Sequence, residues 1–209
     1  IITSGPTYEA IDPVRFIGNR SSGAQGSAIA SALARLGADV TFITGPSTVN
    51  YPDGVKIVKV ETADEMFSAV NEALPAEVAI FVAAVSDWKI ENVQRQKIKK
   101  SSGQKAPSLV LAENKDILSY VSNLKQDRPK LVIGFAAESE NILENASTKR
   151  GKKGCDWIVA NDVSLGSGVM GGKSNKVSLI SETNTENWPD MSKENVAERL
   201  VEKILKHLN

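Results

Sequence analysis

Short apolar, β-branched runs alternate along this chain with longer amphipathic stretches, the pattern of βα repeats wound around a parallel sheet. Ile1, Ile2 and Thr3 read as the end of a strand already under way, so the chain is expected to be a piece of something longer. Residues 23–36 carry Ile29, Leu33 and Leu36 at helical spacing and stop at Gly37, a residue suited to a left-handed helix cap. Strands are predicted at 40–44 and 55–60, with a helix at 63–74 closed by Pro75. The run 78–85 is the most apolar and reads as a central strand covered on both faces.

The alternation then breaks. Residues 87–107 are polar, hold Arg95, Lys97, Lys99, Lys100 and Lys105, and contain no acid after Glu91. Connections of that length are usually functional or disordered, and this one reads as a flexible lid. The repeat resumes with a short strand at 109–111, a helix at 114–124, a buried strand at 131–135, a helix at 140–150 and a strand at 157–160. A glycine-rich loop at 166–172 leads into a strand at 177–180. Ser192 is placed to cap a last helix whose Val196, Leu200, Val201, Ile204, Leu205 and Leu208 form one apolar stripe. With no linker and no internal repeat, the expectation is one domain over 1–209. Its fold class is α/β, Rossmann-like and three-layered, with a mostly parallel central sheet and a lid at about 87–107.

Composition narrows the chemistry. The chain has 209 residues, enough to bury a sizeable core. Its 25 basic and 25 acidic side chains cancel, which argues against holding nucleic acid or an anionic membrane by bulk charge. One cysteine, Cys155, rules out an internal disulfide framework and a thiolate metal cage. One histidine, His207, near the end of a surface helix, removes most Ser-His-Asp, Cys-His and zinc–histidine chemistry. No apolar run approaches the ~18 residues of a membrane span, and no signal-peptide pattern opens the chain, so a soluble, cytoplasmic protein is expected. Chemistry must then rest on Lys, Arg, Asn, Asp, backbone amides or a bound metal.

Two motif matches mislead. Gly166, Gly168 and Gly171 fit G-x-G-x-x-G, but that turn must follow the first strand and open a helix, and here it lies late and leads into a strand. The same stretch misses the P-loop pattern, with serine at 167 and no helix after it. None of Tyr8, Tyr51 or Tyr120 has a lysine four residues on, as a short-chain dehydrogenase would need. Cys155, between Gly154 and Asp156, reads as a small packed residue rather than a nucleophile.

A constellation of other residues carries more. Ser21, Ser22 and Gly23 stand where the first helix begins, and free amides, hydroxyls and the positive helix end favour an anion there. Taken alone, Ser22 reads as a simple N-cap. Arg15 and Asn19, in the long loop after the first strand, lie where open α/β sheets bind ligands. Ala83 and Ala84 end the central strand and let a flat group approach, while Asp87 there suits ribose hydroxyls or an ordinary turn. Gln96, Lys97, Lys99 and Lys100 are either a solvated run or charge brought to phosphates. Lys149 and Lys153 complement a helix C-terminus; if the helix persists past Gly151, both point one way and meet one polyphosphate.

In this order the segments resemble the phosphopantothenoylcysteine synthetase domain of bacterial coenzyme A biosynthesis. The resemblance rests on Ser4-Gly5-Pro6-Thr7, Ile11-Asp12-Pro13-Val14-Arg15, Asn19-Arg20-Ser21-Ser22-Gly23 and Ala83-Ala84-Val85-Ser86-Asp87-Trp88. It continues through Lys97-Ile98-Lys99-Lys100, Gly134-Phe135-Ala136-Ala137-Glu138 and Ala160-Asn161-Asp162-Val163, and so covers nearly the whole chain. It implies CTP-dependent ligation: the carboxylate of 4′-phosphopantothenate attacks the α-phosphate of CTP, and the amine of L-cysteine then displaces CMP. It implies that Asn19 assists the acyl intermediate, with Arg15 and Ala84 also on the acyl substrate, and that Lys97 stabilises charge as the cytidylate forms. The nucleotide would meet Ser21, Ser22, Gly23, Ala83, Asp87, Lys97, Lys100, Ala112, Glu113, Asn114, Lys115, Phe135, Lys149 and Lys153. Mg²⁺ is expected with the triphosphate rather than in a protein cage. The resemblance further implies a homodimer whose partner helps close the site, and a flavin-dependent decarboxylase in the same full-length chain. Ala24 stands where the family usually has lysine, Lys115 where proline is common and Trp88 where tyrosine is common. The alternatives are an NAD(P)-binding oxidoreductase of similar layout and a non-catalytic nucleotide-binding module.

Overall fold

The computed structural model describes residues 1–99, 106–164, 172 and 174–209. Strand β1 (Ile2–Ser4) is followed by a hairpin of β2 (Tyr8–Ala10) and β3 (Phe16–Gly18), then by helix α1 (Ala24–Arg35), β4 (Thr41–Thr44) and β5 (Lys56–Lys59). Helix α2 (Ala63–Ala73) leads to β6 (Val78–Phe81), a second hairpin of β7 (Trp88–Ile90) and β8 (Leu111–Glu113), and helix α3 (Ile117–Ser122). Next come β9 (Leu131–Glu138), α4 (Ile142–Lys153), β10 (Trp157–Asp162), β11 (Ser174–Asn175), β12 (Val177–Ile180), β13 (Thr185–Asn187), β14 (Met191–Ser192) and α5 (Lys193–Leu208).

The main sheet runs β13-β12-β10-β9-β6-β1-β4-β5. From β5 across to β10 the strands are parallel, and β12 and β13 add an antiparallel edge. In the parallel part the chain starts at β1, moves outward through β4 and β5, then returns to build β6, β9 and β10 on the other side. The direction of winding reverses between β1 and β6, where doubly wound sheets open a ligand crevice.

Period-two alternation in the strands feeds two cores. Phe42 faces one side of the sheet with Ile2, Ile80, Ile29 of α1 and Val196, Leu200 and Ile204 of α5. Its neighbour Ile43 faces the other, with Ala79, Met66 and Val70 of α2, Val121 of α3 and Ala146 of α4. Two helices thus cover one face and three the other, a three-layer α/β fold. Each buried Ile or Leu contributes roughly 1.5–3 kcal/mol relative to exposure. No helix among the described residues is long and apolar enough to cross a membrane.

Several expectations change. The central strand ends at Phe81 rather than 85; beyond it the chain stays beside the first strand through the Val82 N–H to the Thr3 carbonyl (3.2 Å) and an isolated bridge from Ala84 to Pro6. The strand expected at 109–111 is Leu111–Glu113, and it pairs antiparallel with Trp88–Ile90 outside the main sheet. The segment 87–107 is therefore partly a strand, while residues 100–105 lie outside the described residues. The glycine-rich loop likewise falls outside them except Gly172. Helix α3 begins three residues later than expected because Asp116 accepts from the Ser119 N–H (2.9 Å) and caps it. The β2–β3 hairpin and strands β11, β13 and β14 replace what read as loop: they are two or three residues each, too short for a periodicity. Leu36, Leu205 and Leu208 are exposed rather than part of the core. Ser192 does cap α5, accepting from the Asn195 N–H at 3.1 Å.

Candidate active site

The crevice between β1 and β6 is built from close approaches. Gly23, at φ 78°, is the N-cap of α1, so Ser22 is not; its hydroxyl accepts only from the Ala24 N–H at 3.4 Å. Among the described residues no side-chain cap bond is made at the α1 N-cap. Ser4 at the end of β1 donates its hydroxyl to the Gly23 carbonyl (3.0 Å), and a Cβ on Gly26 would sit 2.4 Å from that hydroxyl oxygen. Small residues thus let the positive end of α1 press against the carboxyl end of β1. Across the gap, Asn19 Nδ2 donates to the carbonyls of Val85 (3.0 Å) and Ala84 (3.4 Å), binding the first loop to the segment that follows β6.

Two clefts open there. The first, of about 360 Å³, is lined by Ala83, Asp87, Trp88, Glu113, Asn114, Lys115, Phe135, Lys149 and Lys153, among others. The second, of about 340 Å³, holds Asn19, Arg20, Ser21, Ser22, Gly23 and Ala84. They share Ala83, Val85, Asp87, Phe135 and Lys149.

The first cleft is held by main-chain bonds. Asn114 donates from its backbone to the Asp87 carbonyl and from Nδ2 to the Ser86 carbonyl, each at 2.9 Å. Ser86 in turn donates its N–H to the Thr7 hydroxyl at 2.9 Å. Lys115 holds its ammonium 4.3 Å from the Phe67 ring centroid. Helix α4 continues past Gly151 to Lys153, so Lys149 and Lys153 do lie on one side of it. Lys149 donates to the Phe135 carbonyl at 3.1 Å, and Lys153 pairs with the carboxylate of Asp116. Burial is the main force lowering the Lys149 pKa below the usual 10.5, with neighbouring Lys153 adding to it and Glu138, Asp87 and Asp116 opposing.

Not every expected residue is brought in. Arg15, Lys97 and Ala112 do not line either cleft. Arg15 pairs with Asp12 and reaches the Ile98 carbonyl, Lys97 is exposed beside it, and Ala112 lies opposite Lys89 in the β7–β8 ladder. Lys100 lies outside the described residues. Residues absent from the sequence reading also line the second cleft: Gln25, Asn175 and Lys193. Gln25 Nε2 donates to the Lys193 carbonyl (3.0 Å), and Asn175 Nδ2 donates to Gln25 Oε1 (3.3 Å). These three meet across 150 and 168 positions of chain, so no local spacing announces them. Cys155 is buried, and desolvation pushes its thiol up to about 11, which suits a packed side chain.

Chemically, the pair of clefts suits a polyanion at the shared wall, with Lys149 and Lys153 on one side and Arg20 and the α1 terminus on the other. A flat group fits beside Phe135 and the small side chains. Among the described residues no group of three or more His, Cys, Asp or Glu is arranged to hold a metal.

The chain is 40% identical over 98% of its length to the coenzyme A biosynthesis bifunctional protein CoaBC of Vibrio cholerae, and 42% identical over the same share to that of Haemophilus influenzae. It covers 51% and 50% of those proteins, so it spans about half the length of the curated relatives it matches. The solved C-terminal domain of a coenzyme A biosynthesis bifunctional protein CoaBC superposes with a TM-score of 0.82 at 35% identity, covering 99% of this chain and 93% of that one. Residues 1–208 match one family throughout, and the chain belongs to it: the DNA/pantothenate metabolism flavoprotein C-terminal domain family.

Proposed function

We propose that this domain is a phosphopantothenate–cysteine ligase of coenzyme A biosynthesis, acting in the cytoplasm. The observation that carries the reading is the meeting of two clefts at Asp87, Phe135 and Lys149. One cleft takes CTP and the other 4′-phosphopantothenate, so the carboxylate of one meets the α-phosphate of the other at the shared wall. In the first step a carboxylate oxygen bonds to the α-phosphorus and pyrophosphate leaves. In the second, the L-cysteine amine attacks the acyl carbon, CMP leaves with the electron pair, and the amine gives up a proton. Positioning and charge stabilisation carry most of such a transfer, which fits a site without histidine.

Asp87 would hold the ribose, Lys149 and Lys153 the phosphates, and Asn19 the acyl group. Mg²⁺ would arrive on the triphosphate and neutralise its charge, since the described residues build no cage for it. Arg15 and Lys97 would complete the site from a second copy of the chain. Their segments adjoin exposed Val14, Phe16, Val93, Leu109, Val110 and Leu111, an apolar surface on the two hairpins of the kind that pairs with another protein. The decarboxylase half would occupy the remainder of a longer chain, in keeping with the relatives' description as bifunctional.

The test is pyrophosphate release with CTP or ATP, leaving out each co-substrate in turn. Pyrophosphate should require CTP and phosphopantothenate but not cysteine, while CMP should appear only once cysteine is added. Release that ignores phosphopantothenate, or none at all, would sink the assignment; nucleotide binding without turnover would leave a binding module in its place.

A further inference from the structure

Asp12 lies in the turn between β2 and β3, and its side chain is 0% exposed. A carboxylate that deep is costly unless its oxygens are fully hydrogen-bonded, and this one accepts four bonds. Oδ1 accepts from the backbone N–H groups of Val14 (2.8 Å) and Arg15 (2.9 Å), which is all the turn requires. Oδ2 accepts from the Arg15 guanidinium (2.7 Å) and from the backbone N–H of Ile98 (3.1 Å), 86 positions along the chain. Arg15 closes the ring, because both of its terminal nitrogens donate to the Ile98 carbonyl at 3.3 Å. The Ile98 peptide groups are thus gripped from both sides by the Asp12–Arg15 pair. One more bond, from the Gln94 N–H to the Ile11 carbonyl at 3.0 Å, fastens the same segment to the same turn.

The neighbour of Ile98 is Lys97. We propose that Asp12 is a positioning residue for the ligation: it sets the place of Lys97 against Arg15 by clamping the backbone of Ile98. This rests on the reading of Lys97 as the cation that stabilises charge while the acyl-cytidylate forms. It does not depend on whose cleft Lys97 serves, since the clamp lies within one chain.

Asp12→Asn separates the turn from the clamp. An amide keeps Oδ1 for the Val14 and Arg15 N–H groups, but its Nδ2 is a donor set against the Ile98 N–H and the guanidinium. The turn survives and the clamp opens. Pyrophosphate release from CTP and phosphopantothenate is measured for the wild type, Asp12→Asn, Lys97→Gln and the double variant, alongside melting temperature and CTP affinity by calorimetry. Asp12→Asn should slow release about tenfold, the scale of a small misplacement of a catalytic group. CTP affinity should hold within about twofold, and in the Lys97→Gln background the second change should cost almost nothing, because the two act as one unit.

Ile98→Pro removes the donor to Asp12 and leaves the acid and its turn intact. It should reproduce the loss, and it carries the same cycle if Asp12→Asn does not fold. If Lys97→Gln is slow while both other variants run at the wild-type rate, or if their losses multiply with that of Lys97→Gln, Asp12 does not position Lys97. If Lys97→Gln releases pyrophosphate at the wild-type rate, the role of Lys97 itself is overturned, and this role of Asp12 with it.

Discussion

At the junction of the two clefts Lys149 holds a charge that burial opposes. A lysine with a lowered pKa loses its proton at a lower pH than an exposed one, so the proposed contact of Lys149 with phosphate should fade earlier on the alkaline side. The value of kcat/KM for CTP, which reports the free enzyme, should therefore fall at a pH below the ordinary lysine value of 10.5. Lys149→Arg, with a guanidinium that stays charged, should move that limb upward, and Lys149→Met should raise the KM for CTP roughly 10–100-fold, as loss of a charge-assisted bond of about 1.5–3 kcal/mol implies. Stability has the opposite sign. Between the lowered pKa and 10.5 the unfolded chain binds more protons than the folded one, so the empty protein gains stability with rising pH over that interval. An alkaline limb that Lys149→Arg leaves in place would assign the titration to another group. In the sequence this lysine is indistinguishable from a cation complementing a helix end; what singles it out is its bond to the Phe135 carbonyl and the helix that runs on to Lys153.

Helix α1 shows how an element serves the site. Its amphipathic spacing and its stop at Gly37 are plain in the sequence, and so is the glycine at its start. Its docking is not. Glycine in a helix interior normally costs about 0.5–1 kcal/mol against alanine, so Gly26→Ala should ordinarily stabilise. Here the added Cβ would lie 2.4 Å from the Ser4 hydroxyl and 2.7 Å from its Cβ, within a buried contact. The substitution should lower the melting temperature and weaken CTP binding together, by pushing the helix terminus away from β1; a stabilised variant with unchanged affinity would refute that account. The two hairpins mark the opposite case. Strands of three residues with mixed burial carry no period, and β7 and β8 are joined through a long polar connection, so pairing partners decide them rather than pattern. The final helix lay between: Ser192 and the buried stripe were legible, while in its last turn His207 meets the Trp157 ring edge-on (5.1 Å) and Leu205 and Leu208 stay exposed.

For the whole molecule, the two hairpins and the ends of their connections carry exposed apolar side chains, among them Val14, Phe16, Val110 and Leu111. Val110→Glu places a charge in that surface at a residue 57% exposed, where the fold itself should tolerate it. Sedimentation should show a dimer for the wild type and a monomer for the variant, with pyrophosphate release reduced at least about tenfold if Arg15 and Lys97 serve the other copy's site. A monomer of full activity would show that each chain is complete alone. By itself the sequence determined the layered α/β class, the parallel core strands and the loops at their carboxyl ends, because periodicity and β-branched runs are local and follow the backbone's own repeat. Through the family resemblance it also singled out Asn19, Asp87, Phe135, Lys149 and Lys153 as candidates for the site. Only the tertiary structure decided that two clefts share a wall at Asp87 and Lys149, that Gln25, Asn175 and Lys193 line one of them, and that Arg15 and Lys97 stand outside both. Those facts depend on which distant segments the sheet brings together, and a chain read locally holds no record of a contact between residues 86 or 168 positions apart.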